Sequence, residues 1–185
     1  MNLWLRLLCV IASAFWRRRL DPLSEASRLR FRVWPHDLDT SLHLNNGRYW
    51  TLMDLGRADL MIRSGLWRAV LKNRWTPVIS AGTIRFRREL RAFQPFTLDT
   101  RIVTWSGTSV VIEHRIVSRA HGGGDVVNAV ALVRAGLYDR KAKRFVTVER
   151  LFEEIGPSVA APEFTPEVAA FLKAEDALKQ AAGPP

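Results

Sequence analysis

Asp37, Asp39, His43, Asn45 and Asn46 fall within one stretch, VWPHDLDTSLHLNNGRYWTLMDLGR, from Val33 to Arg57. A short apolar strand breaks there at Trp34-Pro35, a polar loop follows, and a helical pattern begins at about Gly47. A carboxylate just ahead of a helix N-terminus sits beside backbone N–H groups that have no helical partner. Such a pair could bind a carbonyl oxygen and attack its carbon. The same residues also suit an ordinary capped helix, so the loop alone leaves both readings open. An aspartate at the mouth of an apolar tunnel would be desolvated, which strengthens its carboxylate as base or nucleophile. A thioester carbonyl needs only that carboxylate and donors for its oxygen, because thiolate leaves readily. Asn46, at the helix start, offers a backbone N–H of the required kind.

The loop needs a helix behind it and a sheet under it. From Asn46 to Gly65, Tyr49, Leu52, Met53, Gly56 and Leu60 form one apolar stripe at spacings of three and four. Arg48, Arg57, Asp59 and Arg63 are expected on other faces, with Asp59 and Arg63 as an i,i+4 surface pair. Gly56 costs about 1 kcal/mol against alanine in a helix. That cost makes sense if a sheet passes close by. Before the loop, Leu29, Phe31 and Val33 alternate with Arg30 and Arg32 as a half-buried strand. After a short helix at 66–72, strands are expected at 78–90, 96–106, 109–119, 125–138 and 144–148. The turns between them are short, which implies antiparallel hairpins. Strand, long helix, then antiparallel meander indicates an α+β fold, a curved sheet wrapped round one central helix. Thr165-Pro166-Glu167 starts a last helix, to about Ala181, as a surface or partner-contact element.

Residues 2–16, NLWLRLLCVIASAFW, are apolar apart from Arg6 and small polar residues, and Arg17, Arg18 and Arg19 follow. As a helix they would span roughly 22 Å, short of the roughly 30 Å hydrocarbon core. The charge lies mainly after the apolar run, unlike a cleaved signal, and would hold the downstream chain on the cytoplasmic side. Membrane association, inserted or lying in the interface, is the expectation. A helix packed on its own domain is the alternative. The division expected is 1–19 as this helix with its basic flank, 20–28 as linker, 29–150 as the main domain and 151–185 as a C-terminal extension.

With 185 residues and a net charge of +10, one basic domain is expected. That charge suits an anionic partner such as lipid, nucleic acid or a phosphate-bearing thioester. Nucleic acid is disfavoured, since no aromatic-studded basic motif accompanies the charge. The single cysteine, Cys9, rules out an internal disulfide, and no Cys/His set has zinc spacing. Asp37, Asp39 and Ser41 alternate as in a calcium loop, but Leu42 takes the glycine position and Arg48 the twelfth. No metal or cofactor is expected. His121 precedes three glycines, but without a G-x-S-x-G nucleophile it reads as a hairpin tip. His114 reads as a paired strand histidine on a polar face. Arg85, Arg87, Arg88 and Arg91 read as a solvated face that could also receive phosphates.

Asp37-Leu38-Asp39, His43-Leu44-Asn45-Asn46, Tyr49 and Arg57 resemble the D-x-D-x-x-x-H-x-N-N-x-x-Y signature of hotdog-fold thioesterases, in the branch of 4-hydroxybenzoyl-CoA thioesterase. The resemblance covers about 30–148. With the apolar N-terminus and its arginines, the chain further resembles the membrane-associated thioesterase superfamily member 6 group. The resemblance implies a hotdog fold and hydrolysis of acyl-CoA or acyl-carrier thioesters, fatty or aromatic. Asp39 would be nucleophile or base, and the N–H near Asn46 would polarise the carbonyl. His43 and Asn45 would shape the loop, with Tyr49 beside them at the substrate site. Asp54 and Arg57 would be structural. A homodimer or homotetramer is implied, with Thr83 and Arg85 of a partner lining a tunnel at the interface. One departure is Leu42, where many members have Gly. Two further readings share the pocket: an acyl or lipid binder without turnover, and a hydratase using a His/Asp pair.

Overall fold

The computed structural model describes residues 3–120, 122–156 and 160–183. His121 lies outside them, so its expected place at a hairpin tip is not described. The apolar stripe forms α2, Asn46–Arg63, with Tyr49, Leu52, Met53, Gly56 and Leu60 all buried. Gly56 sets how near this helix can come to the sheet. A Cβ built there would lie 2.2 Å from Oγ1 of Thr100 and 3.1 Å from Cδ2 of Leu98. The close passage of a sheet that the glycine implied is present.

That sheet is antiparallel and built from β1 (Ser27–Arg32), β2 (Trp75–Phe86), β3 (Pro95–Ser106), β4 (Ser109–Arg119) and β5 (Asp125–Asp139). The order is β1-β3-β4-β5-β2, and a short β6, Arg144–Phe145, pairs with the end of β5. Register breaks at Ile79/Ala81, Ile102/Thr104 and Ile116/Val117 let the strands bend. The core lies in the hollow they make, where Leu52, Met53 and Leu55 of α2 meet Leu98, Ile116, Ala129 and Ala131. A second apolar layer covers the other face, where Val168 and Phe171 of α5, Pro166–Ala181, pack on Val111 and Leu132. Arg134 and Glu175 bridge that layer at 2.7 Å. The curved sheet round a central helix is the hotdog arrangement.

Several boundaries differ from expectation, and β1 ends at Arg32 rather than Trp34 and β2 at Phe86 rather than 90. β2 starts at Trp75 rather than 78, because Pro77 pairs with Leu137 on one side of an edge strand, where its missing N–H is harmless. β1 starts at Ser27, whose buried hydroxyl donates to Asp59. The strand expected at 144–148 stops at Phe145, since Thr147 accepts from the Arg150 N–H and caps an unforeseen helix, α4, Val148–Ile155. The expected division at 150/151 falls inside that helix. α3, Leu66–Asn73, is as anticipated.

α1, Leu3–Trp16, packs on α2 with Arg6, Val10 and Ala14 facing inward at a spacing of four. It is therefore a helix docked on its own domain. Its outer face keeps Trp4, Leu5, Leu8 and Phe15 exposed, and Trp16 is 91% exposed. Among the described residues, no helix is long and apolar enough to cross a membrane. The docking also corrects the view of Asp59 and Arg63. Rather than a surface pair, they are buried under the chain that joins α1 to β1. Asp59 accepts from Ser27, Arg17 and Arg63, and Arg63 also donates to the Arg18 carbonyl.

Candidate active site

Two residues apart in sequence, Asp37 and Asp39 meet opposite environments. Asp37 ends a 3-10 turn, Pro35–Asp37, and is 1% exposed. Its Oδ2 pairs with Arg6 of α1 at 2.6 Å and accepts from the Trp34 N–H at 2.9 Å, and its Oδ1 lies 3.2 Å from the same guanidinium. With both oxygens committed, Asp37 is a clamp for α1. Asp39 is half-buried, and its Oδ1 accepts from the Ser41 N–H at 2.9 Å and the His43 N–H at 3.3 Å. Those bonds hold the partly exposed carboxylate at the head of the loop. The full desolvation expected of a tunnel mouth is not reached, since the side chain stays partly exposed.

The loop ends where Asn45 caps α2. Its side chain accepts from the Gly47 N–H at 2.8 Å, and its own N–H donates to the Asp37 carbonyl at 2.9 Å. Asn46 is the first helical residue, so its N–H has no carbonyl a turn earlier to meet. His43 is half-exposed, forms a bridge with Arg91 through the backbone, and sets Nε2 3.2 Å from Glu89. The loop therefore leans on the 87–94 segment, and a cleft there is lined by Arg87, Arg88, Arg91 and Arg119.

At Leu42 the backbone has φ +59° and the side chain is 70% exposed. That is the left-handed region, which glycine adopts without strain. A non-glycine residue there costs roughly 1–2 kcal/mol, against about 0.5–1 kcal/mol of extra chain entropy for glycine. Leu42→Gly should therefore stabilise the fold slightly, by about 0.5–1 kcal/mol. Leu42→Val, branched at Cβ, should lower the melting temperature in the same scan.

Tyr49 lies one turn into α2. It is buried, its ring meets Phe86 edge-on at 5.0 Å, and burial pushes the phenol pKa up to about 12. A phenol so shifted stays protonated, so it can donate but cannot act as a base. Gly82 is the companion signal in β2, since a Cβ there would lie 2.9 Å from the Trp50 ring. Phe86 and Gly82 together bring the β2 edge against the first turns of α2. Thr83 and Arg85 lie on that edge and are exposed. The structure therefore gathers Asp39, His43, Asn45 and Asn46 in one loop, sets Tyr49 behind it in the core, and puts Thr83 and Arg85 on the neighbouring strand.

His114 departs most from expectation, because it is fully buried beneath α2 rather than on a polar face. Arg57 donates to Nε2 at 3.0 Å, and since a guanidinium only donates, Nδ1 carries the proton toward Thr100 Oγ1 at 3.0 Å. Arg57 is held in turn by Asp54. Burial first, and the Arg57 charge second, push the His114 pKa well below the ordinary 6.5. The folded state then keeps His114 neutral while the unfolded chain takes up a proton as pH falls below about 6.5. Stability is complete above that value and declines below it, by up to about 1.4 kcal/mol per pH unit. Melting curves at pH 7.5 and 5.5 should show a larger acid loss for wild type than for His114→Gln.

Residues 33–172 match the Thioesterase-like superfamily. Protein THEM6 of Xenopus laevis is 32% identical over 148 residues, covering 80% of this chain and 68% of that protein. Its counterpart in Danio rerio is 38% identical over 133 residues, covering 72% and 62%. The chain belongs to the thioesterase-like superfamily. Among solved structures, an aspartate-to-asparagine mutant of 4-hydroxybenzoyl-CoA thioesterase in complex with 4-hydroxybenzoyl-CoA superposes with a TM-score of 0.65, at 18% identity, over 72% of this chain and 100% of that one. That likeness supports the hotdog fold described above. Relative to the superfamily signature, several partners are invisible in sequence: Arg6 on Asp37, Glu89 on His43 and Phe86 on Tyr49. Gly82, a glycine inside a strand, carries a local signal of close approach, as Gly56 does in α2.

Proposed function

We propose that this protein hydrolyses acyl-CoA thioesters, with Asp39 as the reacting carboxylate. The observation that carries this is the Asp39 loop. Its carboxylate is fixed by the Ser41 and His43 N–H groups at the head of α2, whose first N–H belongs to Asn46. The carboxylate either attacks the carbonyl carbon or takes a proton from water that does so. Negative charge then forms on the carbonyl oxygen, where the N–H near Asn46 and the α2 dipole stabilise it. Collapse of that intermediate breaks the C–S bond and expels the thiolate of coenzyme A. This leaves the free acid when water attacked, or an Asp39 acyl anhydride when Asp39 attacked, which a water molecule then hydrolyses to the acid and the regenerated carboxylate. Arg87, Arg88 and Arg91, next to His43, suit the phosphates of that coenzyme. Asp39→Asn, the substitution type in the neighbour's thioester complex, is the variant that probes the role.

The reading also assigns a partner copy. β2 has one unpaired edge bearing exposed Ile79 and Phe86, and pairing two such edges would bring a second copy's Thr83 and Arg85 toward the loop. That closure would supply the desolvation that Asp39 lacks in one protomer. The outer face of α1, apolar with Arg17 to Arg19 at its end, favours lying in a membrane interface, as tryptophan and arginine do there.

Free-thiol release from acyl-CoAs of short, long and aromatic acyl groups tests the activity. Release from one class supports the reading. Binding of those thioesters with no release on any of them overturns it in favour of an acyl carrier.

A further inference from the structure

A cavity of about 370 Å³ lies between the second half of α2, α3, α4 and the hollow of the sheet. Packing voids in protein interiors are rarely larger than a water molecule, whereas ligand pockets start at about 300 Å³. Its walls include Met61, Val70, Ile79, Ile112 and Leu151, and no aromatic ring is among the described residues that line it. The charged members are Asp54 and Arg57, paired to each other, with Arg57 also bound to His114. α3 and α4 roof this space, and Glu154 joins them through Lys72 at 2.9 Å and Asn73 at 3.2 Å.

We infer that this cavity takes a long unbranched aliphatic chain, and so makes a long-chain fatty acyl group the substrate class. The inference rests on the thioesterase reading above for the head of the ligand, but not for the chain. Branched aliphatic walls adapt to a flexible hydrocarbon, and the few polar groups among them are Asp54 and Arg57, already committed to each other and to His114, with Thr108 and Thr147. Position sets the length. Asp54 lies eight residues past Asn46 along α2, roughly 12 Å at 1.5 Å per residue. A thioester held at the Asp39 loop reaches the cavity only if its chain exceeds that span, so short acyl groups gain nothing from it.

The test uses non-hydrolysable thioethers, S-hexadecyl-CoA and S-butyl-CoA, in calorimetric titrations of the full chain. Ala58→Phe and Val70→Phe fill the cavity from two different helices, and melting temperatures show whether each folds. Wild type should bind the hexadecyl compound at least about tenfold tighter than the butyl one, and each folded variant should lose that difference. A palmitic acid analogue with a terminal diazirine serves if neither variant folds, and its crosslinks should fall on the stretches 58–70 and 146–151. Equal affinity for the two thioethers, an unchanged preference in a folded variant, or crosslinks elsewhere would overturn the inference. Chain preference without thiol release would leave this site standing and sink the thioesterase reading. Thiol release at one rate for all chain lengths would do the reverse.

Discussion

Asp39→Asn is expected to slow thiol release from the preferred acyl-CoA at least about a hundredfold, roughly 2.7 kcal/mol of barrier. The substitution separates chemistry from architecture better than alanine would. An asparagine side-chain oxygen can still accept from the Ser41 and His43 N–H groups, so the loop keeps its shape. What disappears is the negative charge and with it the capacity to attack a carbonyl or take a proton. The melting temperature should therefore stay within the shift of about 1 kcal/mol while turnover collapses. Affinity for a thioether analogue should survive. Asp37→Asn is the informative contrast, since its effect should appear in stability through Arg6 and not in chemistry alone. If Asp39→Asn keeps most of the activity, the carboxylate only closes the loop and the reacting group lies elsewhere.

How far the sequence reaches is seen in these two aspartates. Residue types and spacing mark the loop because chemistry restricts them, and the helix cap at Asn45 follows from local rules. The partner of Asp37 does not, because Arg6 is distant along the chain and brought there only by the docking of α1. In residues 2–16, the inward positions Arg6, Val10 and Ala14 repeat every four, yet tryptophan, leucine and phenylalanine on the other face hide that stripe. Periodicity placed Tyr49, Leu52 and Met53 in the core for a related reason: one helix face, one sheet. Asp59 escaped because periodicity reports which residues share a face and not what covers it. His114 escaped likewise, since strand alternation does not name the inner face when Arg57 and Thr100 can satisfy an imidazole there. α4 has too few residues for a convincing period, and its cap at Thr147 follows a strand that ends early.

Asp59→Ala should be the most damaging single change to the fold, at about 3–5 kcal/mol in urea unfolding. Asp59 is 0% exposed and receives three donors, and its removal leaves Arg63 buried without its carboxylate. Breaking one side of a buried pair costs more than the pair itself contributes, because the surviving charge stays desolvated. The same site holds the chain between α1 and β1, through the Leu20 N–H on the Arg63 carbonyl and Arg63 Nε on the Arg18 carbonyl. Loosening it should therefore free the backbone around Arg17 to Arg19, whose side chains are already exposed, and limited trypsin digestion should cut there sooner than in wild type. Arg17→Ala should cost about 1 kcal/mol or less, since that side chain is partly in water. The double change Asp59→Leu with Arg63→Met should regain part of the loss, because it removes both charges and refills the space. A loss below about 1 kcal/mol for Asp59→Ala would instead mean that water reaches Arg63, and that α1 is held by the Arg6–Asp37 pair and its apolar contacts.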